Sequence, residues 1–179
     1  MRYENEAIYV RLLELGDAES LLSLRLRNHE FLKPFEPTRP SEYFTLEGQQ
    51  LDIEQGVRGA EADQSYIFGV FLSEPNELIG RVALTGIARG PFQNVNLGYL
   101  MGQAHNGKGY TTAAVRMVVT FAFTELNLHR IQAGVMPRNT ASKRVLEKVG
   151  FRNEGLAIKY LRINSQWEDH ILYALTQED

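Results

Sequence analysis

The stretch Val95-Asn96-Leu97-Gly98-Tyr99-Leu100-Met101, followed by Gly102-Gln103-Ala104-His105-Asn106-Gly107-Lys108-Gly109-Tyr110-Thr111-Thr112, decides how the rest of the chain reads. Val95, Leu97, Tyr99 and Met101 recur at period two, as on a half-buried strand, and Gly98 interrupts the opposite face. A glycine there marks a bulge or a place where a ligand or another backbone comes close. Beyond the turn, Ala113, Val115, Met117, Val118, Phe121 and Phe123 form a long helical pattern. Gly107 and Gly109 remove the Cβ atoms that would hold an anion away from the backbone. The first turn of the helix adds unpaired N–H groups and the positive end of its dipole. Such a strand-turn-helix suits a phosphate or pyrophosphate, with Lys108 adding charge.

Two familiar phosphate-binding turns fit poorly. A P-loop has the spacing from Gly102 to Gly107 and Lys108, but Gly109 stands where a magnesium-binding hydroxyl is needed. A dinucleotide fingerprint needs a third small residue where Thr112 stands, and no acidic residue follows about 20 positions later at the end of a new strand.

A third pattern fits better. Ala104-x-x-Gly107-x-Gly109 resembles the acetyl-CoA turn of GNAT acyltransferases, [QR]-x-x-G-x-[GA], although its leading polar residue is missing. Downstream, Asn139-x-x-Ser142-x-x-Val145-Leu146-x-Lys148-x-Gly150-Phe151 resembles a second GNAT element, N-x-x-A-x-x-L-Y-x-K-x-G-F, and a predicted strand, His129 to Met136, lies between the two. Similarity to the RimJ/RimL branch, which acetylates N-termini of ribosomal proteins, extends over nearly the whole chain and is closest on the RimJ side. It runs through Phe31-Leu32-Lys33-Pro34-Phe35-Glu36-Pro37, Arg89-Gly90-x-Phe92, Leu97-Gly98-Tyr99 and Gln166-Trp167-x-Asp169-His170.

Composition narrows the class independently. The 179 residues, 44% hydrophobic, suit one domain with one core, residues 1–179. Without cysteine there is no disulfide, thiol nucleophile or Cys-based metal site, and the four histidines show no ligand spacing, so no metal is expected. The N-terminus has no signal-peptide pattern, and no apolar run nears the roughly 18 to 20 residues of a membrane span. A cytoplasmic protein that touches neither membrane nor nucleic acid is expected, since a net charge of −3 offers no basic footprint. Monomer and homodimer both remain open.

The remaining elements follow in order. Ala7 to Leu15 reads as a strand, and Gly16-Asp17 as its stop and the cap of a helix through Asn28. Phe31 to Phe44 holds Pro34, Pro37 and Pro40 among four aromatics, too kinked for a regular helix and too apolar for an idle loop. It is read as a plug of the core edge, a wall of the acceptor groove, or both. Thr45 caps a second helix to about Gly59; strands follow at Tyr66 to Leu72 and Leu78 to Thr85, and a final hairpin joins Leu156 to Ile163 and Trp167 to Leu175. The order β-α-α-β-β-β-α-β-α-β-β is that of the α/β GNAT fold, a mixed sheet splayed at a bulged strand near Gly98 with helices on both faces.

The resemblance implies an acetyl-CoA-dependent N-acetyltransferase acting by direct attack in a ternary complex. Gly107, Lys108, Gly109, Tyr110, Thr111 and Thr112 would cradle the pyrophosphate, with Gly102 also among the cofactor-binding residues. Leu100 and Met101 would pair backbone groups with pantetheine, Asn139 would cap its helix and reach the CoA arm, and Lys143 would meet the 3′-phosphate. Leu146 replaces the tyrosine that many GNAT enzymes use as general acid, so Ser142 is the expected proton donor to the departing thiolate. The base is less evident, because Asn96 stands where some relatives carry Glu. Glu36 is the candidate, acting through water. Phe31, Phe35, Glu36, Tyr99 and Asp169 are expected to bind the acceptor, with Asp169 paired to Arg130 or Lys159 as its other reading.

The acceptor class follows from acidity. A lysine amine of pKa about 10.4 costs roughly 4 kcal/mol to neutralise near pH 7.5, whereas a chain N-terminus near 7.7 to 8.0 costs well under 1. A site without a strong base therefore suits an α-amine, such as the N-terminal alanine of a ribosomal protein. A small-molecule amine and a CoA-binding, ribosome-associated protein without turnover are the alternatives.

Overall fold

The computed structural model describes residues 1–179. Eight strands form one open sheet in the order β1-β2-β3-β4-β5-β6-β8-β7. These are β1 (Arg2–Glu4), β2 (Ile8–Leu12), β3 (Ser65–Leu72), β4 (Leu78–Ala88), β5 (Asn94–Met101), β6 (Arg130–Val135), β7 (Arg152–Ile163) and β8 (Gln166–Thr176). Helices α1 (Ala18–Arg27), α2 (His29–Leu32), α3 (Leu46–Glu61), α4 (Tyr110–Thr124) and α5 (Thr140–Val149) connect them. All neighbouring strands are antiparallel except β5 and β6, which pair in parallel only from Asn94↔Arg130 to Asn96↔Gln132. Past Asn96 the two strands part, and the cleft opens there.

Alternation along the strands assigns each face. Val95, Leu97, Met101, Ile131, Ala133, Val135, Tyr173 and Leu175 join the main core with Val115, Val118 and Phe121 of α4 and Leu146 of α5. Burying each large apolar side chain contributes roughly 1.5–3 kcal/mol, and the Phe121 ring also meets Phe68 edge-on at 5.1 Å. On the other face, Leu100 joins Tyr9, Leu21, Leu24, Leu32 and Ile53 under α1, α2 and α3.

Several local signals form as the residues dictate. Thr45 Oγ1 accepts from the Gly48 N–H at 3.0 Å and starts α3. Asn139 caps α5 through the Ser142 N–H at 3.2 Å. Gly150, at φ +113°, ends α5 in the left-handed region, and the Gly150 and Phe151 N–H groups close on the Leu146 carbonyl.

Other expectations change. Asp17 precedes α1 without capping it, because its carboxylate is held by Arg11 at 2.7 and 2.8 Å. Residues 29–44 hold three short helical turns, His29–Leu32, Lys33–Phe35 and Ser41–Phe44, with a non-helical stretch through Pro37 and Pro40 before the last, rather than plain loop throughout. The short β1 carries no apolar alternation and forms only by pairing with β2. The register irregularity lies on β4, between Thr85 and Ala88, whereas Gly98 is regularly paired with Ala83. Gly98 instead leaves a face open: a Cβ there would meet nothing within 4 Å.

Candidate active site

A cavity of about 530 Å³ occupies the parting of β5 and β6, lined by Leu97–Met101, Ala133–Met136, the start of α5, and Phe31, Phe35 and Glu36. Its donor end is the turn before α4. Gly107 and Gly109 adopt φ of +75° and +80° with open space where a Cβ would stand. The backbone N–H groups of Gly107, Lys108, Gly109, Tyr110, Thr111 and Thr112 find no acceptor in the chain; the first bond of the helix runs from the Ala113 N–H to the Gly109 carbonyl. That run of free donors at a helix N-terminus is the fit expected for a pyrophosphate.

Antiparallel pairing decides which backbone groups of β5 face the cleft. The Gly102 N–H donates to the Ile79 carbonyl at 2.8 Å. With the register Gly80↔Met101 and Arg81↔Leu100, Leu100 turns its backbone groups toward β4, while Met101 and Tyr99 turn theirs into the gap. The expectation that Leu100 pairs through its backbone is therefore corrected: Leu100 supplies a wall side chain, and Tyr99 takes its place beside Met101.

The same alternation splits the cavity into two compartments. On the α4–α5 side, Tyr99 Oη lies 2.8 Å from Ser142 Oγ and 3.1 Å from the Ser142 carbonyl oxygen. Burial pushes the Tyr99 hydroxyl up to about 12, against a smaller opposing pull from Ser142. Tyr99, expected at the acceptor, thus lies on the side of Ser142, Asn139 and Thr111. Lys108 is exposed and Lys143 half-buried, and neither lines the cavity.

On the opposite face Asn96 Oδ1 accepts from Gln132 Nε2 at 2.8 Å, which fixes Asn96, Gly98 and Leu100 on one side with Gln132 and Gly134. Gly134 pairs with Leu172, so His170 shares that side, and a Cβ on Gly134 would stand 3.6 Å from His170 Cδ2. Phe31, Phe35 and Glu36 close this compartment. Glu36 Oε1 accepts from Arg25 Nη1 at 2.7 Å, with Arg25 only 4% exposed. The loop carrying these residues is tied to the sheet: Arg138 bridges the Pro34 carbonyl and Glu168, both at 3.1 Å, and Asn164 Nδ2 donates to the Lys33 carbonyl at 2.8 Å.

Asp169 does not reach the cavity. Successive strand residues face opposite ways, and Asp169 Oδ1 accepts the N–H of Lys159, whose φ of +51° lies in a β7 irregularity, at 2.8 Å. Arg130 pairs with Glu154 instead. The residue that sequence reasoning passed over is the neighbour, His170, 3% exposed and lining the cavity. The only available signal was its opposite parity to Asp169 on the same strand.

A sheet parted beside a glycine turn, with free amides on one side and an aromatic, acidic pocket on the other, is the architecture of an acyl-CoA N-acyltransferase. The chain belongs to the GNAT acetyltransferases: the model of the acetyltransferase (GNAT) domain matches residues 8–152. It is an N-acetyltransferase of the RimJ/RimL branch. It is 48% identical to Probable N-acetyltransferase YjcK of Bacillus subtilis (strain 168), over 98% of this chain and 97% of that one. Ribosomal-protein-S5-alanine acetyltransferase from Vibrio fischeri superposes with a TM-score of 0.95 at 37% identity, over 100% of this chain and 98% of that one. Mycobacterium smegmatis RimJ, solved in complex with CoA-disulfide, superposes with a TM-score of 0.91 at 30% identity, over 96% and 82% of the two chains. No helix is long and apolar enough to cross a membrane.

Proposed function

We propose that this chain transfers the acetyl group of acetyl-CoA to the α-amine of a protein N-terminus, with the N-terminal alanine of a ribosomal protein as the preferred acceptor. One observation carries the reading: the cavity reaches Asn106 and Thr111, beside the turn with six free amides, on its donor side, and Phe31, Phe35 and Glu36 line its acceptor side. The Gly107–Thr112 amides take the pyrophosphate, and the backbone groups of Tyr99 and Met101 run beside the pantetheine arm. Ser142, backed by Tyr99, returns a proton to the departing thiolate. Glu36 anchors the ammonium of the incoming chain, with Oε1 committed to Arg25 and Oε2 left for the acceptor.

The alanine preference is supported by the name of the Vibrio fischeri neighbour and by acidity. The position of a strand carboxylate is taken by Asn96, whose amide bonds Gln132 and Thr85, and an α-amine of pKa near 7.7 to 8.0 needs little help to lose its proton. The test is thiol release from acetyl-CoA with an alanine-initiated peptide of ribosomal protein S5, against the same peptide blocked at its α-amine. Transfer to the free α-amine alone is expected. Acetylation of internal lysines with none at the N-terminus overturns the reading.

A further inference from the structure

We infer that His170 is the general base of the transfer, a role that rests on the acyl-transfer reading above, in which Glu36 stays the anchor, and that corrects the expectation from sequence that Glu36 is the base. His170 Nδ1 lies 2.9 Å from the carbonyl oxygen of Glu168 on its own strand. A carbonyl only accepts, so Nδ1 carries the hydrogen, and of the two neutral tautomers the contact selects the one whose Nε2 keeps its lone pair. That nitrogen has no partner within the chain. The ring is buried, lines the cavity, and turns its Cδ2 edge, next to Nε2, toward Gly134 in the acceptor compartment.

The surroundings fix the ring without consuming its lone pair. Tyr160 of β7 packs against it with ring centroids 5.6 Å apart, and Gly134 presents no side chain to crowd it. The other ionisable groups of this region are already engaged: Glu36 with Arg25, and Arg138 with Glu168. No side-chain donor of this region is therefore left to occupy Nε2 in place of an incoming ammonium, and Glu36 attracts the same ammonium. Glu36 becomes the anchor and His170 the acceptor of the proton.

The transfer balances. The ammonium gives one proton to Nε2, and the amine lone pair forms the C–N bond as the C–S bond breaks with its electron pair on sulfur. The nitrogen of the adduct, more acidic once bonded to carbon, passes its second proton to water; Ser142 gives sulfur a proton and regains one from solvent, and Nε2 releases the first to solvent. Ammonium and thioester become amide, thiol and one proton.

Two measurements test this. In the ¹⁵N-labelled protein at pH 7.5, the imidazole correlations of His170, assigned by their loss in His170→Gln, should report a neutral ring with hydrogen on Nδ1. Hydrogen on Nε2 alone, or an imidazolium, overturns the proposal whatever the acceptor proves to be. In turnover of the alanine peptide at pH 7, His170→Gln should lower kcat about 100-fold, the scale of a lost general base, with the KM for acetyl-CoA within twofold of the parent. The deficit should shrink at least several-fold by pH 9, where an α-amine of pKa 7.7 to 8.0 is already neutral. A deficit that stays constant with pH, or no deficit, overturns the role. If the parent itself leaves the peptide untouched, the acceptor reading fails, and the tautomer measurement decides His170 separately.

Discussion

Tyr99 and Ser142, 43 residues apart in the chain, meet across the cleft with their hydroxyl oxygens 2.8 Å apart. Tyr99 has one hydrogen and two oxygens of Ser142 within reach. If it bonds the Ser142 carbonyl, Ser142 Oγ can donate back to it; if it donates to Oγ, the serine hydrogen is released toward the cleft. The second arrangement makes Ser142 the donor and Tyr99 its support. Ser142→Ala is therefore expected to lower kcat 10- to 100-fold, Tyr99→Phe to lower it less, and the double variant to match Ser142→Ala. Steady-state kinetics of the three variants measures this, and independent multiplication of the two losses would contradict it.

Tyr99 also sets an alkaline limit on stability. Its folded pKa of about 12 lies above the ordinary 10, so the folded state holds the proton that the unfolded state loses. The contribution is complete below pH 10 and disappears as pH rises through about 12, by up to roughly 2–3 kcal/mol. Urea midpoints measured from pH 9 to 11.5 should fall more steeply in the parent than in Tyr99→Phe. Parallel curves would mean that the hydroxyl is not held in this way.

What could be read from sequence was local. The β5 alternation, the Gly107 and Gly109 turn and the caps at Thr45 and Asn139 each depend on residues within one turn or one strand. Pairings distant in sequence were hidden. Arg25 and Glu36 meet because α1 and the proline loop fold together, and Tyr99 meets Ser142 because α5 crosses the cleft. Asp169 drew attention as a carboxylate in an apolar strand, yet the unpaired Lys159 N–H of β7 claims it. That N–H is left out of the strand ladder only because β7 is irregular, and no side-chain pattern announces it. His170 points the other way for the same reason that Asp169 does not: strand parity.

The glycine turn makes a separable prediction. Gly109 stands at φ +80° with free space around its Cβ position, so Gly109→Ala meets no clash and suffers only the left-handed backbone cost of roughly 1–2 kcal/mol. Relaxing that strain rotates the amides on either side. The KM for acetyl-CoA should rise at least 10-fold, whereas kcat at saturation should stay within about threefold. A comparable loss in kcat with KM intact would place the damage away from the pyrophosphate.

Glu36 carries two roles that one variant cannot separate. Its carboxylate neutralises Arg25, which is 4% exposed and whose Nε finds no partner, and it faces the acceptor compartment. Glu36→Gln removes the charge from both. Leaving a buried guanidinium without its carboxylate costs several kcal/mol in a closed core, and the 30% exposure of Glu36 lowers this to about 1–3 kcal/mol. At this chain length that corresponds to a Tm lower by about 3–10 °C. The KM for the peptide should rise about 10-fold through loss of the ammonium anchor, with the KM for acetyl-CoA unchanged. Arg25→Met combined with Glu36→Gln then separates the roles, because an apolar replacement of the buried cation removes the unpaired charge and restores much of the Tm. The carboxylate is still missing from the acceptor wall, so the peptide KM should remain high. Recovery of KM together with Tm would make Glu36 a folding partner of Arg25 alone and leave the ammonium to other groups of the compartment.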